Sequence, residues 1–438
     1  MRVDFDMTTG DARTEVVAAW GAPASDTPTG LANIQNVSSL FVQTARATCA
    51  DCNDGVLGLH TITVPLKAVG IATDLSVGSP ITCTGCTATA APIGNEAVPG
   101  DAFDVTLTVD VTNSRFSVSF SIIGTPVQLT LCVQELGFGD DHLISLDGFG
   151  NVADPVWQSS ACGAPTTEIE PAAYTSGTRV KISAATIRAT LEPQITKSVA
   201  LDISAFGFIG GFVMKFTFAR VSVPGAGGTV AIGSATADQA TAADRAVVAH
   251  PYMIDWTYSF ITSAAGYRTF FVTTSHPVYF TYRAPRQSSL YLTVLDLSTR
   301  KAAGMQSETA VVASVWNEFS DREVHKRVLD STTGTVSDGA LLSYYKNASA
   351  GNCTTVKGLL AYPYDAQCDA WATFLMAMFA AQGVASELIW VGPAPNSGIG
   401  LFLVDDWNFP APPVSGPCST TSWNYHLEDD LTHNAAPS

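Results

Sequence analysis

The sequence predicts a multidomain protein in which all-β, sandwich-like domains are followed by an α+β domain. Three observations predict this class. Apolar residues alternate with Thr and Ser over most of the chain before about residue 300, as in strands with one buried face. After residue 305 the period changes to that of helices. The chain has 438 residues and is 46% hydrophobic, which is enough for several cores.

The first part of the chain predicts a loose arm and then a sandwich-like domain. Residues 1–37 contain clusters of Pro, Gly, Thr and Asp with little periodicity, so we expect a loose arm there. Residues 38–165 predict the β-sandwich-like domain. Within it, residues 104–122 form two alternating apolar stretches around a turn-forming cluster, which predicts a β-hairpin with one buried face.

A second β-rich region follows a run of loops. Gly, Asp, Pro and Ser over residues 137–166 predict loops and a domain boundary. Residues 166–245 then predict a β-rich domain or extension that ends, over residues 224–245, in a linker with a short helical piece. A third β-rich stretch, residues 252–297, opens the last domain, for which we expect the bounds 246–438.

The last domain contains two helical patterns. Apolar residues recur at helical spacing over residues 311–319, behind Ser307, which is a favourable N-cap. A longer pattern predicts a helix over residues 368–382 that is apolar on nearly all sides and therefore buried in a core. Gly383 is expected to end this helix. Strands are expected to follow over residues 385–391 and 401–409.

Cys368 is the main candidate for chemistry, because it stands at the start of the longer helix. Backbone N–H groups at a helix N-terminus stabilise a thiolate, and they can hold the oxyanion that forms when a thiol attacks a carbonyl. Together with a histidine on a following strand, this is the arrangement of a cysteine nucleophile. The alternative is a structural cysteine, either capping a core helix or in a disulfide with Cys353.

The segment around Cys368 resembles the core of the transglutaminase-like superfamily, in its bacterial-type, cysteine-protease-like form. That family has Gly-Gln-Cys, then an apolar helix with Ala and a bulky aromatic residue, then Gly followed by Ile or Val and a strand. The resemblance covers about residues 250–438. The matching positions are Gln367, Cys368, Ala372, Gly383 and Val384, and Ala366 stands where the family has its first Gly.

The resemblance implies a papain-like α+β domain and thiol-dependent acyl chemistry on peptide or amide bonds. Such a domain acts as a protease, an amidase or a cross-linking acyltransferase. Cys368 would be the nucleophile, and Gln367 and Trp371 would shape the site. A protein or peptide is the implied substrate, and the implied chemistry requires no cofactor.

The resemblance also implies a histidine and an aspartate on successive strands after the helix. The histidines in that part of the chain, His426 and His433, do not precede an alternating apolar stretch. Two interpretations therefore stay open. Either the catalytic histidine and aspartate lie beyond residue 438 and the fold is incomplete at the C-terminus, or His426 acts as the base from a loop.

Two Cys-x-x-Cys pairs lie in the N-terminal part of the chain. Four thiolates are a common ligand set for structural Zn²⁺, which binds them tetrahedrally. Two disulfides are the alternative, favoured if the protein is exported, and free thiols are a third possibility. In each case the expected role is structural. The four residues are Cys49, Cys52, Cys83 and Cys86.

Composition limits the partners and the location. Only 22 Lys and Arg residues stand against 39 Asp and Glu, and no basic patch is present, so we do not expect a nucleic-acid partner. No run of about 18 apolar residues predicts a transmembrane segment, and no signal peptide is visible in this chain. Nine cysteines and the Thr- and Ser-rich β pattern favour an extracellular or cell-surface protein.

A second class of function fits the same composition. A β-rich extracellular structural or adhesive surface protein would also be acidic, Thr- and Ser-rich and stabilised by cysteines. In that case the transglutaminase-like domain would be degenerate or truncated, and Cys368 would be a core residue.

Overall fold

The computed structural model of the chain is mostly β-sheet, and its α-helices all begin after residue 291 among the described residues. Three buried hydrophobic clusters divide it into an N-terminal, a central and a C-terminal unit. This β-rich, multi-unit architecture agrees with the predicted class at that level. The structure describes residues 2–6, 11–15, 41–43, 47–49, 52, 56–148, 150–152, 154–164, 166–209, 212–260, 268–319, 323–344, 355–362, 364–366 and 368–388.

The N-terminal unit is built from short and medium strands around an apolar core. Alternate residues of its long strands are buried, as the period predicts; Ile62, Val64 and Leu107 are fully buried examples. The strands are β1 (Arg2–Asp6), β2 (Asp11–Glu15), β3 (Phe41–Gln43), β4 (Thr48–Cys49), β5 (Gly58–Ala68), β6 (Ala72–Val77), β7 (Thr82–Thr84), β8 (Cys86–Ala90), β9 (Glu96–Ala97), β10 (Ala102–Val111), β11 (Arg115–Ser119) and β12 (Ile122–Pro126).

These strands form three sheets. The first has the order β2-β1-β11-β7, the second β3-β5-β10-β8 with β4 beside β5, and the third β12-β6-β9. Strands β1 and β2 fall within the arm predicted for residues 1–37, and β1 pairs antiparallel with β11. The remainder of that arm lies outside the described residues.

The hairpin predicted over residues 104–122 is wrong in its pairing. Both stretches are strands with one buried face, but β10 pairs with β5 and β8, whereas β11 pairs with β1 and β7. The turn between them carries the chain from one sheet to another, and both buried faces enter one core. Alternation predicts which residues are buried, but it does not specify the partner strand.

The central unit consists of two sheets that share one hydrophobic core. One sheet has the order β17-β16-β13-β19-β23 with β24 beside β19, and the other β18-β26-β25-β20-β21 with β22 beside β20. The strands of this part of the chain are β13 (Gln128–Gly139), β14 (Ile144–Ser145), β15 (Asn151–Val152), β16 (Val156–Ser159), β17 (Thr166–Ile169), β18 (Ala172–Thr175), β19 (Lys181–Glu192), β20 (Val199–Ile209), β21 (Phe212–Thr217), β22 (Val221–Val223), β23 (Gly228–Ala231), β24 (Ala235–Thr236), β25 (Val247–Phe260) and β26 (Thr269–Thr281).

The positions predicted as domain boundaries, 165 and 245, fall inside this central unit. Strands on both sides of each position, such as β13, β19 and β26, contribute to the same core. The linker with a helical piece predicted over residues 224–245 is wrong, because β23 and β24 lie there and pair with β19. This segment is rich in Gly and Ala, which gives it the composition of a linker. Its strands lie towards the edge of the sheet, where few large apolar side chains are needed.

The C-terminal unit combines short strands with helices around a third core. Helix α1 packs against α2 and α4, and α3 also packs against α4. Its elements are β27 (Leu290–Tyr291), α1 (Leu292–Ala302), α2 (Glu308–Trp316), a 3-10 turn (Asn317–Phe319), β28 (His325–Leu329), β29 (Val336–Leu341), β30 (Ser343–Tyr344), α3 (Val356–Leu360), β31 (Asp365–Ala366) and α4 (Cys368–Ala381).

The sequence predicts α2 correctly and α1 incorrectly. Ser307 caps α2 as expected, since its Oγ accepts a hydrogen bond from Ala310 N at 3.3 Å. The stretch predicted as strand over residues 252–297 instead turns helical at Leu292. Its apolar residues fit both periods, and α1 is capped from a distant segment by Asp147, which accepts from Thr293 N at 3.2 Å. No local pattern predicts that contact.

After α4 the chain is described only as far as residue 388. In the strand predicted over residues 385–391, the described residues 385–388 are not in regular structure. The rest of it, and the strand predicted over 401–409, lie outside the described residues. Within the part of the chain that the structure covers, no helix has the length and hydrophobicity needed to cross a membrane.

Candidate active site

Helix α4 begins at Cys368, so the predicted nucleophile is the first residue of the helix. The chain enters α4 through β31, which pairs in parallel with β30 and sets Ser343 opposite Asp365. Ser343 N also donates to Tyr364 O at 2.9 Å. These bonds fix the direction of the segment that leads into the helix. Gln367 and the side chain of Cys368 lie outside the described part of the structure.

A buried lysine lies beneath this entry segment. Lys326 is 5% exposed, and its Nζ donates to Leu360 O at 2.9 Å. The same Nζ lies 5.1 Å from the centre of the Tyr364 ring, within cation–π range. Burial lowers the pKa of Lys326, and the negative charge of Asp147 acts in the opposite direction. Lys326 therefore packs against Tyr364, four residues before Cys368.

One face of α4 is fully buried and its other described residues are half-buried, so the helix is less enclosed than its apolar pattern predicts. Ala370, Phe374, Met378 and Ala381 are fully buried and follow helical spacing. They belong to the core that α4 shares with α1, α2 and α3. Because α4 packs against α1, α2 and α3, the position of its N-terminus is fixed within the unit.

The C-terminus of α4 is anchored by a Schellman motif and a buried glutamine. Gly383 N donates to Ala380 O at 3.0 Å and Val384 N donates to Phe379 O at 2.9 Å, with Gly383 at φ +76°. The predicted end at Gly383 is therefore confirmed. The preceding Gln382 is fully buried; it accepts from Tyr282 N at 2.9 Å and donates to Ser298 Oγ at 2.9 Å and Thr299 Oγ1 at 3.0 Å.

An aromatic cluster lies one turn after Cys368. Trp371 is half-buried, and its ring meets Phe319 and Phe374 edge to face, with ring centres 6.3 Å and 6.1 Å away. Trp371 Nε1 is buried and has no hydrogen-bond partner among the described residues. An indole N–H is a donor only, so Trp371 leaves one buried donor unsatisfied among the described residues. The shaping role of Trp371 stays a prediction.

His426 and the alternative His433 both lie outside the described residues. The described part of the site therefore consists of the start of α4, Lys326 and the aromatic cluster.

The four N-terminal cysteines form two disulfides, Cys49–Cys52 and Cys83–Cys86, with Cα–Cα distances of 5.4 Å and 5.3 Å. A third disulfide joins Cys132 to Cys162 across 30 residues of sequence. The pairing agrees with the disulfide alternative. Cys353 and Cys418 lie outside the described residues.

The Cys83–Cys86 disulfide spans a crossing between two sheets. Cys83 lies in β7 of the first sheet and Cys86 starts β8 of the second. Between them Gly85 has φ +75°, and its carbonyl accepts from Thr112 N at 2.9 Å in the neighbouring crossing. The disulfide therefore links two strands that belong to different sheets.

One group of candidate metal ligands exists in the described part of the chain: Cys49, Cys52 and His60. The predicted set of four cysteines is not brought together there. His60 was not among the predicted ligands. A signal was present, since alternation along β5 places His60 on the same face as the buried Ile62 and Val64.

No protein-family model matches the chain, and no curated protein sequence matches it significantly.

Lys326 and Gln382 were also missed by the sequence analysis. Gln382 had a weak signal, because a polar residue ends an otherwise apolar helix directly before Gly383. Lys326 had none, since its contacts with Leu360 and Tyr364 join segments more than 30 residues apart in the chain.

Proposed function

We propose that the C-terminal unit is a transglutaminase-like domain in which Cys368 carries out thiol-dependent acyl chemistry on peptide or amide bonds. The observation that supports this most directly is the start of the buried helix α4 at Cys368. The proposed substrate is a protein or peptide. The product is a cleaved peptide, a hydrolysed amide or a cross-link to a second amine.

The helix supplies the electrostatic part of this chemistry. The N–H groups of the first turn of α4 have no partners within the helix, and they carry the positive end of its dipole. They favour the thiolate of Cys368, and they can stabilise the oxyanion after attack on the substrate carbonyl. A base takes the thiol proton, the sulfur–carbon bond forms, and the carbonyl–nitrogen bond breaks as the amine leaves with that proton. Water or a second amine then releases the acyl group from the thioester as an acid or a new amide.

The surroundings support binding of an amide substrate. Trp371, one turn after Cys368, has an indole N–H with no acceptor among the described residues, and this buried donor would meet a substrate carbonyl only once the site opens around it. Phe319 and Phe374 hold the indole ring in place. The buried Lys326 fixes the segment that precedes the nucleophile.

The test is amine incorporation and hydrolysis by the full chain. A glutamine-containing peptide is incubated with the protein, with and without a fluorescent primary amine, and products are identified by mass spectrometry. We expect acyl transfer or hydrolysis by the wild type and none by Cys368→Ser. The matched control is Cys83→Ser/Cys86→Ser, which removes two cysteines far from α4 and should keep the activity. Equal product with Cys368→Ser would contradict the proposal.

A second candidate function is structural. It is favoured by the three disulfides, which close loops in the N-terminal and central β units and suit an extracellular protein. Under this alternative, wild type and Cys368→Ser are equally inactive towards peptides and amines. Reduction of the disulfides would then lower the thermal stability while Cys368→Ser would leave it nearly unchanged.

A further inference from the structure

Three candidate ligand atoms converge in the N-terminal unit, far along the chain from α4. One atom from each of Cys49, Cys52 and His60 lies within 4.8 Å of the other two. In a tetrahedral zinc site, with Zn–S of about 2.3 Å and Zn–N of about 2.0 Å, ligand atoms are about 3.5–3.8 Å apart. Small side-chain movements therefore bring this group to the spacing of a metal site.

The strand register explains the convergence. Strand β4 pairs antiparallel with β5 and places Cys49 opposite Ile62. Residues that face each other across a ladder share a face, and Ile62 shares its face with His60 two residues earlier. Cys52 follows three residues after Cys49 and is only 3% exposed. Cys49 and His60 are thus fixed by one strand pair, and Cys52 lies in the buried core of the same unit.

A hydrogen bond fixes the tautomer of His60. It is 4% exposed, and its Nε2 lies 2.8 Å from Val56 O. A carbonyl oxygen only accepts, so Nε2 must donate, and the neutral ring then has its lone pair on Nδ1. Histidine ligands of metals generally donate their other ring N–H to a carbonyl or carboxylate in this way.

We propose that Cys49, Cys52 and His60 form a redox-gated site for one zinc-like divalent cation. In the oxidised protein the two sulfurs are bonded to each other and cannot act as thiolate ligands. A dithiol reductant gives two electrons and two protons to the disulfide, which becomes two thiols while the reductant becomes its own disulfide. Binding of Zn²⁺ then releases the two thiol protons, and water fills the fourth position.

The second Cys-x-x-Cys pair is not part of this site. Cys83 and Cys86 lie on β7 and β8, where their disulfide spans the crossing between sheets. They offer the same residue types and spacing without a histidine in their group. Replacement of this pair is therefore the matched control.

The test uses the full chain and Zn²⁺ as the probe. The protein is reduced with an immobilised phosphine, which gives two electrons to each disulfide and becomes a phosphine oxide by taking an oxygen atom from water. The reduced protein is then handled under anaerobic conditions. Co²⁺ titration reports tetrahedral thiolate coordination through its visible absorption, and Zn²⁺ competition gives the affinity. The variants are His60→Gln, Cys49→Ala/Cys52→Ala and Cys83→Ser/Cys86→Ser, each checked by circular dichroism in the oxidised form.

We expect one tight zinc equivalent in the reduced wild type and none at this site in the oxidised protein. Loss of an outer hydrogen-bond partner weakens metal sites about 10–100-fold, so loss of the ligand in His60→Gln should weaken zinc binding by at least that factor. Cys83→Ser/Cys86→Ser should bind as the wild type does. The proposal is overturned if reduced wild type binds no more zinc than Cys49→Ala/Cys52→Ala. If His60→Gln does not fold, the comparison of reduced wild type with Cys49→Ala/Cys52→Ala still tests the proposal.

Discussion

At the scale of single residues, Gly383 has two reasons to be glycine. Its φ of +76° lies in the left-handed region, and a Cβ there would lie 2.7 Å from Ala284 O and 2.7 Å from Arg283 Cβ. The end of α4 is therefore pressed against the segment that follows β26. The position combines a conformational requirement with a steric one.

We predict that Gly383→Ala lowers the free energy of unfolding by about 2 kcal/mol or more, since the left-handed conformation alone costs about 1–2 kcal/mol. Gly304→Ala is the control: φ there is +79°, but nothing lies within 4 Å of its added Cβ. Gly304→Ala should therefore lose only the free energy that the left-handed conformation costs. Urea unfolding of both variants measures the difference, and equal losses would show that the close approach has no energetic effect.

A buried carboxylate makes stability depend on pH. Burial raises the pKa of Asp147 to about 6, from a usual value of 3.8, although Thr293 donates to it. Between about pH 4 and 6 the folded protein keeps a proton that the unfolded chain has lost. Stability from this residue is therefore greatest below pH 4 and falls as the pH rises towards 6.

We predict that Asp147→Asn reduces this fall by about 2–3 kcal/mol, since the pKa rises from 3.8 to about 6 and each pKa unit corresponds to about 1.4 kcal/mol. Asp147→Asn also alters the hydrogen bond from Thr293 Oγ1, which changes the free energy of unfolding by the same amount at every pH. The quantity compared is therefore the change of the free energy of unfolding with pH, and not its absolute value. Urea unfolding at pH 4, 5, 6 and 7 measures it. Asp141, whose pKa burial also raises to about 6, remains in both proteins and serves as an internal reference. An unchanged slope would show that Asp147 stays ionised throughout.

At the scale of elements, α4 places a negative charge beside its own first residue. Asp369 lies in the first turn, where an acidic side chain stabilises a helix. The same charge opposes ionisation of the neighbouring Cys368, because like charges disfavour each other. The dipole and Asp369 therefore act on the thiol in opposite directions.

We predict that Asp369→Asn increases the rate of Cys368 alkylation at pH 6–7 about two- to tenfold, with a small loss of helix stability of at most about 1 kcal/mol. Mass spectrometry of the labelled peptide measures the rate. Glu308→Gln, an equivalent change in the first turn of α2, should leave the rate unchanged. A slower reaction in Asp369→Asn would mean that this carboxylate activates the thiol.

Elements differ in how far the sequence predicts them. Helix α2 begins behind Ser307, and helix α4 ends at Gly383. Both residues are local sequence signals, and both form the expected cap. Helix α1 was missed because its apolar residues also fit a strand and because Asp147 caps it from more than 140 residues away. The sheet partners of β10 and β11, and the approach of His60 to the cysteines, depend on long-range pairing that periodicity does not encode.

At the scale of the whole molecule, disulfides differ in the length of chain they close. Cys132–Cys162 joins residues 30 apart in the central unit, whereas Cys83–Cys86 joins residues 3 apart. A longer closed loop restricts the unfolded chain more.

We predict that Cys132→Ala/Cys162→Ala lowers the free energy of unfolding by about 3–4 kcal/mol, as expected for a loop of this length. Cys83→Ala/Cys86→Ala should lose clearly less. Thermal and urea unfolding of both double variants, without reductant, measures the two losses. Equal losses would show that local strain or packing, and not loop length, determines the contribution of these bonds.

The central claim is that α4 activates Cys368, and the most direct measurement is the pH dependence of alkylation at each cysteine in the native, unreduced protein, read by mass spectrometry. An unperturbed thiol has a pKa of about 8.5. We predict that Cys368 reacts rapidly at a pH well below that value, while the six cysteines in Cys49–Cys52, Cys83–Cys86 and Cys132–Cys162 do not react. A Cys368 that is unreactive, or that is released only by reduction, would contradict the claim and leave α4 as the core of a structural domain.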